Sequence, residues 1–217
     1  MSEPIIIQGN HVVPHHFESA EQAFESSKTG VWLFLVTEIL LFGGLFVAYI
    51  VYHALYPQAF HEASSELNRV MGSINTLVLI CSSFSMAMAV QKTRENKTRT
   101  ANLLLIFTLL CAAAFMVIKY FEYSHKIHEG MLPAGLYHFE GIKDPKAPLF
   151  FSLYFMMTGL HGIHVLVGMG LIGWVLWRSR QKAYGSQYYT PVEMAGIYWH
   201  LVDLIWIYLF PLLYLVG

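Results

Sequence analysis

Five apolar runs, each long enough to cross a membrane, constrain this chain more than any other feature. A hydrocarbon layer requires roughly 20 consecutive apolar residues in a helix. Residues 30–52, 71–90, 101–120, 149–177 and 194–216 meet that length. The fourth can cross with tilt or project beyond the bilayer. Each run is apolar almost all round, and none alternates as a barrel strand does. In lipid only helices and closed barrels satisfy their own backbone groups. The expected fold is an all-α membrane protein, a bundle of five transmembrane helices. It divides into a polar segment, 1–29, and one transmembrane domain, 30–217.

Composition agrees. Of 217 residues, 56% are hydrophobic and only 12% are charged, against about 25% charged in a soluble domain. A net charge of −1 gives no basic surface for nucleic acid. Residues 1–29 carry Glu18, Glu21 and Glu25 with Lys28 as the cation, and Ile5-Ile6-Ile7 is too short for the core of a secretory signal. The first span is therefore expected to direct insertion. His11, His15 and His16 are expected to be exposed and without fixed structure. Cys81 and Cys111 fall inside apolar runs, so a core role is expected of both, with no disulfide framework or zinc site.

Orientation follows from the basic residues. Lys28, Lys92, Arg94, Lys97, Arg99, Arg178, Arg180 and Lys182 would share one side; Arg69, Lys126, Lys143 and Lys146 would share the other, and Lys119 ends the third span. The positive-inside rule puts the N-terminus in the cytoplasm and the C-terminus outside. Trp32, Tyr52, Tyr120, Trp174 and Trp177 lie near span ends, as an interfacial aromatic belt requires. Gly43 with Gly44, Thr158 with Gly162, and Gly168 with Gly170 and Gly173 are expected to allow close helix approach. Pro211 is expected to bend the last span.

An ionisable side chain inside a span costs roughly 2.5–3.5 kcal/mol at the centre, so each needs a reason. Glu38 stands among Val36, Ile39, Leu40 and Leu41, eight residues and so roughly 12 Å into its span. It reads as a proton-exchanging acid, a contact to lipid or a partner, or a neutral acid hydrogen-bonded to a neighbouring helix. His161 and His164 share one face of the fourth span, and His200 and Asp203 share one face of the fifth. A His–Asp network joining these two helices is expected, serving hydrogen bonding, proton handling or, at the extreme, a metal or haem. Glu122 follows Lys119 by one turn and reads as a structural acid, with His125, His128 and Glu129 continuing towards water. The chain holds no Cys-x-x-Cys-His, P-loop or Rossmann glycine pattern. Catalytic residues and a metal site are therefore not expected on this chain.

Four motifs together carry a resemblance: Thr37-Glu38-Ile39-Leu40-Leu41-Phe42, Phe121-Glu122-Tyr123, Gly159-Leu160-His161-Gly162-Ile163-His164, and Tyr198-Trp199-His200-Leu201-Val202-Asp203-Leu204-Ile205-Trp206. In order and spacing they resemble subunit III of haem–copper oxidases, over about residues 28 to 217. The resemblance is to the short, five-helix form; the long form has two further helices that wall a lipid cleft. It implies a non-redox subunit of a proton-translocating respiratory oxidase, cytochrome c oxidase, reducing O₂ to water in a bacterial-type inner membrane. It implies that haem and copper reside in partner subunits, with subunit I the main contact and subunit II and further respiratory-complex subunits nearby. Phospholipid binding, stabilisation of the catalytic subunit and support of proton uptake are implied too, with Glu38 matching the family's first acid. A ubiquinol oxidase branch and a nitric-oxide-reductase-associated homologue compete, and Glu in place of Asp at position 38 favours the cytochrome c branch. Readings of other classes are an independent proton or solute transporter and a haem b anchor using His164 and His200.

Overall fold

The computed structural model describes residues 6–7, 11–12, 19–132, 137, 141–142 and 144–216. A small antiparallel pair, β1 (Ile6–Ile7) and β2 (His11–Val12), precedes six helices. These are α1 (Ala20–Leu55), α2 (Pro57–Ser65), α3 (Arg69–Arg94), α4 (Thr98–His128), α5 (Ala147–Arg180) and α6 (Thr190–Tyr214). All but α2 are long and apolar enough to cross a membrane. His11 thus lies in a strand, contrary to the expectation of an unstructured segment, while His15, His16, Pro133 and Lys143 lie outside the described residues.

The helices start and stop where local chemistry dictates. Ser19 caps α1 by accepting a hydrogen bond from the Gln22 amide, and Asn68 Oδ1 accepts from Val70 and Met71 at the head of α3. Proline begins α2, α5 and α6, where no intrahelical N–H is needed. Asn96 and Gly130 take positive φ just past the ends of α3 and α4 and so stop them. The helices run beyond the apolar runs, by two to ten residues at each end except the last, because their polar ends continue the same hydrogen-bond ladder; α6 stops at Tyr214, two residues short of its run.

Cross-helix contacts fix the arrangement. Ser85 bonds to the Leu104 carbonyl, and Asn102 accepts from Ser179 while Thr158 meets Tyr123, so α3, α4 and α5 alternate in direction. Ser83 meets His200 and Thr76 meets Trp206, which makes α6 antiparallel to α3. On α1, Phe34 and Phe46 face Tyr198 and Tyr208, so α1 runs parallel to α6. The ends bearing Lys28, Lys92, Arg94, Lys97, Arg99, Arg178, Arg180 and Lys182 consequently gather at one end of the bundle. At the opposite end, Lys126 is buried and donates to the Glu66 carbonyl at 2.9 Å.

Packing corrects several expectations. Of the glycines singled out, only Gly168 makes a close helix approach: a Cβ there would lie 2.7 Å from the Trp199 ring. Gly43, Gly44, Gly162, Gly170 and Gly173 face open space. Close approach also occurs at Gly72, against Phe210. Cys81 is exposed and Cys111 only half-buried, so neither is a core residue. A thiol is tolerated at such positions as a small apolar group. Pro211 lies inside α6, one turn before its end.

Candidate functional site

Three separate groups of buried polar residues stand out. The first joins α1 to α5. Glu38 Oε2 lies 2.8 Å from His164 Nε2, and His164 Nδ1 lies 2.8 Å from the Leu160 carbonyl of its own helix. Both imidazole nitrogens are therefore occupied. Phe42 closes the pair with its edge against the imidazole at 5.4 Å, and Tyr198 of α6 donates to the His164 carbonyl. Two apolar clefts flank this pair along α1. One, of about 500 Å³, lies among Val31, Phe34, Leu171, Trp174 and Tyr198. The other, of about 360 Å³, lies among Ile39, Phe42, Phe46, Leu201 and Tyr208. The outer face of α1 is bare, with Leu33, Leu40 and Val47 each more than 60% exposed.

The second group sits where α4, α5 and α6 converge. Lys119 Nζ donates to Glu122 at 2.9 Å and to the Tyr214 hydroxyl at 2.7 Å. Tyr154 and Tyr214 both donate to the other Glu122 oxygen, the Tyr214 bond being the shorter. The ammonium also lies 4.6 Å from the Trp206 ring, a favourable cation–π position. Every charge here has an opposite charge and at least one further hydrogen bond, which is what a buried ion pair requires. Glu122 is therefore the centre of a closed cluster, and Tyr154 and Tyr214 are partners that no spacing pattern revealed. His125 and Glu129 continue the stripe as an exposed pair at 3.0 Å.

The third group lies on α3 and α6. His200 Nδ1 is 2.7 Å from the Ser83 hydroxyl. Asp203 is buried beside Ser83 without a hydrogen bond of good geometry. The His–Asp network expected between the fourth and fifth spans does not form. Helix rotation explains this: His164 turns to α1 and His200 turns to α3, so the two point away from each other although their helices touch. His161 is buried apart from both, edge-on to Phe115 at 5.5 Å and beside Trp206 at 5.3 Å, with neither nitrogen hydrogen-bonded. Among the described residues no three His, Cys, Asp or Glu side chains converge as metal ligands.

A five-span bundle in which Glu38 is paired with His and Glu122 with Lys and Tyr, under a helix left bare on one side, defines a membrane subunit built to sit against other protein or lipid. Comparison with known proteins is specific. The family model for cytochrome c oxidase subunit III matches residues 5–217. Cytochrome c oxidase subunit 3 of Synechocystis sp. is 37% identical over 187 residues, covering 86% of this chain and 74% of that protein. The subunit of the same name from Thermostichus vulcanus is 36% identical over 86% of this chain and 85% of its own length. Quinol oxidase subunit 3 of Bacillus subtilis is 30% identical over 96% of this chain and 95% of its own length. The chain belongs to the cytochrome c oxidase subunit III family. It is accordingly a multi-pass bacterial membrane protein and works as subunit III of a haem–copper respiratory oxidase, in association with other oxidase subunits.

Proposed function

We propose that this chain is the non-redox third subunit of a cytochrome c oxidase, that it stabilises the catalytic subunit, and that Glu38 and His164 support proton uptake. The observation that carries the reading is the Glu38–His164 contact at 2.8 Å, buried under a helix whose opposite face is bare. A carboxyl and an imidazole sharing one proton can accept or release a second with little rearrangement, because either partner can hold it. The bare face of α1 is where subunit I docks, and the missing wall of the two extra helices of the long form is supplied there. Phospholipid chains fill the two apolar clefts on either side of the pair, with subunit II and haem and copper centres lying beyond this chain. Cytochrome c is favoured as donor because the relatives named for it share 37% and 36% identity, against 30% for the quinol oxidase subunit. Eight cations gathered at one end of the bundle support an N-terminus in the cytoplasm and a C-terminus outside.

The test is the purified oxidase with Glu38→Gln. The amide keeps the contact to His164 but cannot exchange a proton, so haem spectra should be unchanged while proton uptake per turnover falls. Altered haem spectra, or uptake equal to wild type, would remove Glu38 from this role. Substrate-driven or proton transport by the chain alone in liposomes would instead support the transporter reading. The haem b anchor is disfavoured by geometry, since His164 has both nitrogens engaged and His200 faces another helix.

A further inference from the structure

Between α3 and α6, at the end of the bundle where the basic residues gather, a groove of about 290 Å³ opens among Gln91, Arg94, Glu193, Ile197 and His200. Arg94 and Glu193 hold its mouth with a 2.5 Å ion pair, and the guanidinium lies over the Tyr189 ring at 4.6 Å. Glu193 and His200 are seven residues apart on α6, so the imidazole lies roughly 10 Å from the mouth at about 1.5 Å per residue. At about 30 Å³ per water molecule the groove has room for several, and its mouth and floor both carry polar groups.

His200 is the floor. Its Nδ1 is taken by Ser83, which leaves Nε2 towards the groove. Behind Ser83, one turn further along α6, stands Asp203, only 2% exposed and with neither carboxyl oxygen in a completed hydrogen bond. Ser83 of α3 faces Asp203, and His200 stands one turn before it on the same helix; the charged residues of the groove are Arg94 and Glu193 at its mouth. A buried acid lacking good partners is costly, and it stands one hydroxyl away from an imidazole that reaches a polar groove.

We propose that Asp203 is a proton-exchange site served from this groove by a relay through His200 and Ser83. A proton from groove water binds His200 Nε2. The Nδ1 proton passes to the Ser83 oxygen, whose own proton passes to the Asp203 carboxylate. One N–H and two O–H bonds break, the latter on the proton-donating water and on Ser83, as one N–H and two O–H bonds form, and the imidazole, which began with its proton on Nδ1, ends neutral with its proton on Nε2. Release runs in reverse. The site is separate from Glu38, which lies on the α1 side of the bundle, so either assignment can fail without the other.

The experiment is infrared spectroscopy of the intact oxidase, following the carbonyl stretch of protonated carboxyl groups after transfer into heavy water. The Asp203 band is the one that vanishes in Asp203→Asn and moves in Asp203→Glu, which keeps a carboxyl. Its exchange should be slowed at least tenfold in His200→Phe and in Ser83→Ala, with haem spectra unchanged. Ser83→Ala leaves both titratable groups in place and serves if the His200 variant fails to assemble. Exchange at the wild-type rate in Ser83→Ala overturns the relay. Absence of any band that responds to Asp203 substitution shows that the acid never carries a proton, and overturns the site.

Discussion

The cluster around Glu122 and the pair at Glu38 are both buried acids with basic partners, and they differ in how they are held. Glu122 receives bonds from Lys119, Tyr154 and Tyr214, contributed by three helices that pack tightly. Glu38 has a single side-chain partner, His164, and belongs to the most weakly buried span. Half of the most apolar stretch of α6 is buried, against 17% of that of α1. A saturated cluster resists any change of protonation, because each proton moved leaves several dipoles wrongly oriented. A two-member pair at the edge of the bundle lacks that lock. The contrast separates an acid bound by side chains of three helices from one held by a single partner.

The sharpest way to break this contrast is Glu122→Ala. It strands the Lys119 ammonium and two tyrosine hydroxyls, and removing one partner of a buried pair costs about 3–5 kcal/mol. The purified oxidase should lose this subunit or unfold at a clearly lower temperature; a stability equal to wild type would show that the cluster is not structural. Next comes packing. Gly168→Ala forces a Cβ to 2.7 Å from the buried Trp199 ring, and overpacking of that kind costs about 1–3 kcal/mol. Gly43→Ala, at the edge of the cleft between α1 and α6 where a Cβ would meet nothing within 4 Å, should be neutral or gain up to about 1 kcal/mol in helix propensity. Equal thermal midpoints for the two variants would contradict the division into a tight and a loose side.

Glu38→Gln should cost no more than about 1.5 kcal/mol, the value of one hydrogen bond, while altering proton uptake. A stability loss as large as that of Glu122→Ala would place Glu38 with the structural acids. The smallest effect belongs outside the membrane. The exposed Glu95 carboxyl accepts from Lys97 and Lys92, and these bonds bring it from 4.5 down to about 2. A depressed carboxyl adds stability above its ordinary value and loses it as pH falls from about 4.5 towards about 2. Glu95→Gln should lower the thermal midpoint only slightly at neutral pH, and that difference should disappear in acid and in high salt.

Legibility in the sequence varied with the kind of signal. The spans were readable because length and apolarity are local properties, and the helices differ from the expected runs only at their ends. The common end of the basic residues followed from five spans alternating in direction. Glu38 and Glu122 were readable as residues needing partners, since a charge in oil is costly wherever its neighbours lie. Apart from Lys119, one turn before Glu122 on the same helix, their partners were not readable. A helix apolar on every side carries no stripe to announce which face meets which neighbour, so nothing in the chain distinguished a His164 turned to α1 from one turned to Asp203. The glycines failed as signals for the same reason: only Gly168, of those expected, met another helix.

What the amino-acid order alone determined is therefore the membrane class, the five crossings, the uneven distribution of cations and the identities of the residues that cannot be left unpaired in lipid. The tertiary structure alone decided the pairing between helices: Glu38 with His164, Glu122 with two tyrosines, His200 with Ser83. Pairing depends on the rotation of each helix about its axis and on which helices are neighbours. Those are set by side-chain packing summed over the whole bundle, and no short stretch of sequence contains that sum.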